Sequence, residues 1–116
     1  MSVSRYMLLL GGADLDKRSV KTELAQAMLE QYSAWVQSLA QAGRLRETYK
    51  LYDQIGARLS VRGGEVLEGP FIETKDAIGG IFVIEAGSIE AATALARQSP
   101  VLHLQNGYVE VRPVER

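Results

Sequence analysis

The sequence predicts an α+β domain, and three kinds of pattern support this prediction. Two short runs, Tyr6 to Leu10 and Ile81 to Ile84, are apolar at every position, which is typical of strands covered on both faces. Two longer stretches repeat apolar residues at spacings of three and four, as amphipathic helices do. Two further stretches alternate apolar and polar residues, as half-buried strands do.

Length and composition indicate one globular domain that covers residues 1–116. Hydrophobic residues make up 47% of the chain and charged residues 23%, which excludes wholesale disorder and fibrous classes. The formal net charge of −1 gives no global basic field, so we expect neither a nucleic-acid partner nor a membrane partner. The absence of cysteine excludes thiol nucleophiles, disulfides and cysteine metal sites.

The N-terminal apolar run is read as a strand. Only Arg5 supplies positive charge before it, the run is too short to span a bilayer, and no small-residue cleavage site follows. We therefore expect a cytoplasmic protein.

The first predicted helix runs from Val20 to Ala42. Ser19 is its expected N-cap, and Gly43 is its expected C-terminal stop. Its apolar stripe is Val20, Leu24, Met28, Tyr32, Trp35 and Leu39. Because Tyr32 and Trp35 lie on this stripe, we expect them in the core.

The middle of the chain contains one unclear stretch and one clear hairpin. From Arg44 to Gly56 neither helical nor strand periodicity is clean, which predicts irregular structure with at most one short helical turn. Arg58 to Arg62 alternates strictly, and Gly63-Gly64 predicts a hairpin that returns through Glu65-Val66-Leu67.

The last third of the chain predicts a strand, a helix and a strand. After Ile81 to Ile84, Ser88 is expected to cap a helix that extends to Gln98, and Pro100 prevents its continuation. Gly107 to Val114 alternates, with Val109 and Val111 on one side.

This order of elements suggests the ferredoxin-like, split βαβ plan, in which the first and third principal strands are central. The two strands that are apolar throughout are the first and third, as the plan requires, and the two that alternate, Arg58 to Arg62 and Gly107 to Val114, are the second and fourth, at the edges. Two helices can cover only one face of a four-stranded sheet. A second copy of the chain would cover the other face, so we predict a homodimer with facing sheets and a pocket lined partly by Ser60, Arg62, Glu110 and Arg112.

The segment from Glu68 to Gly80 is the strongest functional candidate. Gly69-Pro70 predicts a turn, and Phe71, Glu73, Lys75 and Asp76 then mix charge with bulk before an apolar strand. Gly11-Gly12 and Gly79-Gly80 lack the rest of a phosphate-loop motif, and we interpret both as turns.

Glu68-Gly69-Pro70-Phe71, followed by Glu73, Lys75 and Gly79-Gly80, resembles the YCII-related family, in its branch named for an Asp-Gly-Pro-Phe motif. The terminal Val109-Glu110-Val111-Arg112-Pro113-Val114 fits as well, so the resemblance spans nearly the whole chain. It implies a dimeric α/β barrel built from ferredoxin-like units.

Two positions depart from the family pattern. Glu68 replaces the Asp of the motif. Members proposed to be enzymes resemble one another in a His near the start of the first helix and an Asp before the proline that ends the second. Here the first helix has no His, and Ser99 precedes Pro100.

His103 and Glu68 are the candidate catalytic residues. His103 is the only histidine, and with a carboxylate beside it the imidazole could act as a general base. A satisfied or surface loop histidine is an equally good reading. The candidate ligand-binding residues are Phe71, Glu73, Lys75 and Arg112.

The charged candidates also have structural readings. Glu73 and Lys75 could form a pair that positions the loop, and Arg112 could pair with Glu110 across strands instead of binding a ligand carboxylate. One His and no Cys leave only carboxylates for a metal, and no spacing matches a known loop, so we expect no metal and no cofactor.

Two functions remain open from the sequence. The first is binding of a small organic molecule near Glu68 and Phe71, with or without cofactor-free acid–base chemistry such as elimination or isomerisation. The second, suggested by the family resemblance, is a non-catalytic accessory or regulatory module associated with an alternative sigma factor.

Overall fold

The structure is a computed structural model that describes residues 3–12, 22–51, 56–69 and 78–115. These described residues form six strands, two α-helices and one 3₁₀ helix. The strands are β1 (Ser4–Gly11), β2 (Leu45–Lys50), β3 (Leu59–Arg62), β4 (Glu65–Glu68), β5 (Ile78–Ala86) and β6 (Tyr108–Pro113). The helices are α1 (Thr22–Gln41), α2 (Ile89–Ala96) and the 3₁₀ helix Pro100–His103.

The main sheet confirms the predicted fold class. Its strand order is β2-β5-β1-β6 with antiparallel neighbours throughout, the order of a ferredoxin-like α+β fold. β1 and β5, which contain the two fully apolar runs Tyr6 to Leu10 and Ile81 to Ile84, occupy the centre as predicted. The alternating strand β6 lies at one edge.

The other edge strand corrects the sequence analysis. Leu45–Lys50, within the stretch expected to be irregular, forms β2 and pairs with β5. The register shifts between Leu45 and Glu47, because a bulge inserts an extra residue there. An inserted residue breaks the two-residue periodicity, which explains why this strand showed no clean pattern.

The predicted hairpin is present but does not belong to the main sheet. β3 and β4 pair only with each other among the described strands, through a turn at Gly63-Gly64 with φ of 60° and 82°. The expectation that Arg58 to Arg62 is the second principal strand is therefore wrong, because β2 takes that place. Ser60 and Arg62 consequently do not lie at an edge of the main sheet.

Gly79 and Gly80 correct a second expectation. Both lie inside β5 and not in a turn, with Gly80 opposite Leu10 on β1 and Lys50 on β2. Strand pairing on both sides holds these glycines extended despite their lack of a side chain. By contrast, Gly12 follows β1 with φ of 73°, as a turn residue does.

The helix ends follow the predicted capping residues where the structure describes them. At the end of α1, Gly43 has φ of 72°, and the Arg44 N–H donates to the Leu39 carbonyl at 2.9 Å. At the start of α2, the Ser88 hydroxyl accepts from the Ala91 N–H at 3.1 Å. The α2 helix ends at Ala96, two residues before the predicted end. Ser19 and the start predicted for the first helix lie outside the described residues.

Both helices pack on the same face of the sheet, called here the helix face. The helix face contributes Tyr6, Leu8, Leu10, Phe82, Ile84 and Ala86 to the core, together with Trp35 and Leu39 of α1, Ala92 and Ala96 of α2, and Val101. The Trp35 ring lies 4.6 Å from the Phe82 ring, and its Nε1–H donates to the Leu95 carbonyl at 3.2 Å. Trp35 therefore joins α1 both to the sheet and to α2.

No helix within the described ranges combines the length and apolar character needed to cross a bilayer.

Candidate functional site

The opposite face of the sheet, called here the outer face, has an apolar centre. Met7 on β1 lies opposite Val83 on β5, and Leu9 lies opposite Ile81. Met7, Leu9 and Ile81 are half-buried and Val83 is buried, but none of the four belongs to the core cluster under the helices. Tyr49 extends the surface onto β2 opposite Ile81 and is 56% exposed. Since α1 and α2 pack on the helix face, no described helix covers this apolar centre.

Charged side chains border the outer face where β1 begins and β5 ends. Arg46 Nε lies 2.7 Å from Glu85 Oε1, and Arg46 Nη2 donates to Glu85 Oε2 at 2.8 Å. Arg5 Nε lies 3.7 Å from the same Oε1. The Arg46 contact is the bidentate arrangement that a guanidinium makes with a carboxylate. Glu85 on β5 thus contacts Arg46 on β2 and Arg5 on β1, the two strands that flank it in the sheet.

This arrangement sets the ionisation of Glu85. The hydrogen bond from the Arg46 guanidinium is the main influence that lowers the pKa of Glu85 below its ordinary value, and the positive charges of Arg46 and Arg5 act in the same direction. The same partnership raises the pKa of Arg46. The cluster is therefore a fixed ion pair at neutral pH and not a proton donor.

A cavity of about 360 Å³ lies beside this cluster, lined by Arg5, Glu85, Val114 and Glu115. It forms because β6 runs past the start of β1, where the Val114 N–H donates to the Arg5 carbonyl at 2.9 Å. Its charged lining contains one arginine and two carboxylates, so the cavity has no strong preference for an anion.

His103 lies at the other end of the molecule, as the last residue of the 3₁₀ helix. Pro100 and Val101 at the start of this helix are buried, whereas Leu102 and His103 are exposed. Two glycines bring the following loop close to the end of β1: a side chain on Gly12 would meet the Asn106 carbonyl, and one on Gly107 would meet the Val101 carbonyl. His103 is thus near the end of the sheet where β1 finishes and β6 begins, called here the loop end.

Glu68 ends β4 on the hairpin and is exposed, with Leu59 opposite it on β3. The hairpin lies in the chain between Leu51 and Ile78, and at the loop end the Leu51 N–H donates to the Gly79 carbonyl at 2.9 Å. In the chain, His103 lies between α2 and the edge strand β6, whereas the hairpin lies between β2 and β5. No hydrogen bond or ion pair joins His103 to Glu68, or to any other carboxylate in the described part of the chain.

The structure places Arg112 apart from both candidate catalytic residues. Arg112 lies opposite Met7 on β1, four residues or about 13 Å along β6 from Tyr108 at the loop end. Its Nη1 donates to Glu110 Oε1 at 3.4 Å. Within the protomer, the pair forms inside one strand, between residues on the same side of β6. Both side chains are more than half exposed, so the pair adds little stability.

The remaining predicted residues, Phe71, Glu73, Lys75 and Asp76, lie outside the described residues. Their placement as ligand-binding groups stays a prediction.

Sequence analysis missed the Arg5, Arg46 and Glu85 cluster. These residues are far apart in the chain, and only the strand register brings them together. Arg46 also follows Leu45 at the bulge, in the stretch that showed no strand pattern. The available signal was charge alone: Arg5 comes directly before the apolar run of β1, and Glu85 comes directly after the apolar run of β5. Among the described residues, no group of three His, Cys, Asp or Glu side chains could hold a metal ion.

Comparison with known proteins places this fold in a family. The model of the YCII-related domain matches residues 5–116, nearly the whole chain. An uncharacterised protein of Rhizobium meliloti (strain 1021) is 30% identical over 92 residues, which cover 77% of this chain and 74% of that protein. The match to the family model, over residues 5–116, includes every strand and helix described above apart from the first residue of β1. The chain therefore belongs to the YCII-related family.

Proposed function

We propose that the protein is a homodimer that binds a small organic molecule between its two outer faces, near the segment that contains Glu68 and Phe71. The observation that carries the proposal is the apolar centre of the outer face, which no described helix covers. Ligand sites are mostly apolar with a few polar groups at the border, and this surface has that composition. Because Glu68-Gly69-Pro70-Phe71 resembles the Asp-Gly-Pro-Phe motif, we also assign the chain to the branch of the family that is named for this motif.

Burial of the apolar centre favours dimerisation, but its free energy alone is too small for a tight dimer. Full burial of Met7, Leu9, Ile81 and Tyr49 would contribute about 1 kcal/mol each, or about 8 kcal/mol for two faces. Association itself costs about 4–15 kcal/mol in lost freedom of motion. The outer face therefore needs additional contacts for a stable dimer.

The molar mass in solution tests the dimer. Light scattering on the full chain should give twice the 12.7 kDa protomer mass. Leu9→Lys should give the protomer mass, because a dimer would bury two lysines in the interface. In the protomer, the lysine lies opposite Glu110 on β6, so the β1–β6 strand pair should stay intact. Leu29→Lys is the matched control, since Leu29 is 62% exposed on α1 and should leave the dimer unchanged. A wild-type protein with the mass of one protomer would contradict the proposal.

Native mass spectrometry tests the ligand. The dimer purified under mild conditions should carry an additional small-molecule mass, and Phe71→Ala should lose it while remaining dimeric. A wild-type dimer with no additional mass, even when purified directly from its own cells, would count against a small-molecule site.

Binding without catalysis is the reading that His103 favours. An acid–base mechanism through His103 requires a carboxylate within hydrogen-bond reach, and His103 is exposed without one in the described chain. We therefore expect His103→Ala to retain the bound small molecule. Loss of the ligand and of any turnover of it in this variant would restore His103 and Glu68 as catalytic candidates.

The exposed His103 also favours the second candidate, an accessory module that binds an alternative sigma factor. In that case a sigma factor should co-purify with the tagged chain at equal stoichiometry, and the ligand mass should be absent.

A further inference from the structure

The hairpin formed by β3 and β4, called here the hairpin arm (Leu59–Glu68), has one strongly apolar side. Each of its ten residues is exposed. The register puts Val61 opposite Val66 and Leu59 opposite Glu68, so these four residues share one side of the arm. Leu59, Val61 and Val66 are 66%, 73% and 69% exposed. The other side carries Ser60, Arg62, Glu65 and Leu67.

Among the residues that the structure describes, the arm lies apart from the hydrophobic core. None of its residues belongs to the core or packs against it. The radius of gyration is 16.1 Å, whereas a compact chain of this length has one of about 13 Å. A two-stranded hairpin is marginally stable in water unless one side is covered. Its apolar side therefore requires a partner surface.

We propose that the Leu59, Val61 and Val66 side of the hairpin arm packs on a second copy of the chain. The inference rests on the proposed homodimer and names the part of the interface that the outer face does not supply. Four strands spaced 4.8 Å apart and about six residues long cover roughly 400 Å². That figure is a flat footprint, whereas a stable dimer buries about 800 Å² of accessible surface on each partner, so the outer face needs additional contact area.

Two-fold symmetry makes the arm an efficient way to supply this area. Each protomer contributes one arm and receives one. Each residue on the apolar side is therefore buried in both protomers, and the interface gains its area two times over. The two sides of the arm differ as an interface requires. The apolar side carries Glu68 as its single charge, at the base of the arm, whereas Arg62 and Glu65 keep the other side polar and facing water.

The natural chain has no cysteine, so a single introduced thiol reports on one position of the arm. Val61→Cys places the thiol on the apolar side, and Arg62→Cys is the matched control on the polar side of the same strand. The measurement is the rate of reaction with N-ethylmaleimide, at high protein concentration and in the Leu9→Lys background. If the thiol reacts only in the dissociated protomer, its reaction rate falls in proportion to the fraction of the chain that is free protomer.

In the dimer, Cys at position 61 should react roughly tenfold more slowly than Cys at position 62, at protein concentrations about 100 times the dissociation constant. In the Leu9→Lys protomer, the two rates should become equal. Equal rates in a chain that light scattering shows to be a dimer would overturn the arm contact and leave the dimer standing.

Two other results would also overturn the proposal. Slow reaction at position 61 that persists in the Leu9→Lys protomer would mean that the arm packs on its own chain. A wild-type chain with the mass of one protomer would remove the dimer and the arm contact together.

Discussion

Gly107 has room for a hydrogen atom but not for a methyl group. A Cβ atom at this position would collide with the Val101 carbonyl oxygen and lie 3.1 Å from that of Leu104. Both obstacles are backbone atoms, which cannot rotate away as a flexible side chain can. The loop between the 3₁₀ helix and β6 is therefore shaped by the absence of a side chain at Gly107.

We predict that Gly107→Ala lowers the free energy of unfolding by about 2–3 kcal/mol, because the loop must shift to admit the methyl group. Gly79→Ala is the control, since nothing lies within 4 Å of a Cβ there. It should change stability by less than about 0.5 kcal/mol. Urea unfolding at one fixed protein concentration measures both variants. Equal losses in the two would contradict the steric argument.

The Glu85 and Arg46 pair makes a second prediction at single residues. Because the pKa of Glu85 is lowered in the folded protein, mainly by the hydrogen bond from Arg46, the unfolded chain binds its proton more readily. The pair therefore stabilises the fold above the pKa of an unfolded glutamate, near 4.3, and this contribution is lost as pH falls through the folded value.

Arg46→Ala should consequently cost stability at pH 7 and progressively less as the pH falls below about 4. Urea unfolding across this pH range measures the difference from wild type. Arg58→Ala is the control, because Arg58 is an exposed arginine outside this cluster. A loss for Arg46→Ala that stays the same at every pH would show that packing, and not the ion pair, is what the substitution removes.

At the scale of the elements, Trp35 determines how α1 sits on the sheet. Its ring packs against Phe82 on β5, and its Nε1–H reaches the end of α2 at the Leu95 carbonyl. That carbonyl also accepts from the Gln98 N–H at 3.2 Å, so it keeps a partner if the indole is removed.

We predict that Trp35→Phe costs roughly 1–2 kcal/mol, because the ring contact survives while the hydrogen bond and some volume are lost. Trp35→Ala should cost about 3–5 kcal/mol through the cavity it creates. Leu29→Ala on the exposed side of the same helix should be close to neutral. Thermal or urea unfolding checks the order of the three, and a Trp35→Phe variant as unstable as Trp35→Ala would contradict it.

The elements that sequence patterns predicted are those whose environment is uniform along their length. β1 and β5 have paired strands on both sides, and their central runs, Tyr6 to Leu10 and Ile81 to Ile84, are apolar on both faces. The Ser88 cap and the Gly63-Gly64 turn follow from local backbone chemistry alone. β2 was missed because its bulge breaks the alternation that identifies a half-buried strand.

The candidate site was less predictable, because it depends on strand register and on assembly. The outer face was anticipated from the double-sided apolar character of β1 and β5. The Arg5, Arg46 and Glu85 cluster required knowledge of which β2 residue lies beside the end of β5. The sequence left His103 open as a general base beside a carboxylate or as a surface histidine, because its exposed position on the 3₁₀ helix is set by the burial of Pro100 and Val101 before it.

At the scale of the whole molecule, a dimer couples folding to protein concentration. Each protomer would expose the outer face and the hairpin arm on dissociation, so the folded dimer is favoured by mass action.

We predict that the melting temperature of the wild type rises by roughly 5 °C when protein concentration increases a hundredfold. The Leu9→Lys variant should melt at the same temperature throughout this range. Differential scanning calorimetry at several concentrations measures both. A wild-type melting temperature that does not depend on concentration would indicate that folding is independent of association.

The flatness of the protomer has a hydrodynamic consequence. The chain measures 46 × 42 × 19 Å, and its radius of gyration of 16.1 Å is the value for a compact protein of about 190 residues. Such a disc experiences more frictional drag than a sphere of equal mass. A single protomer would elute from a sizing column well ahead of its true mass. Two protomers stacked on their broad faces would form a thicker, more nearly spherical particle, so dimerisation would double the mass with only a small change in Stokes radius.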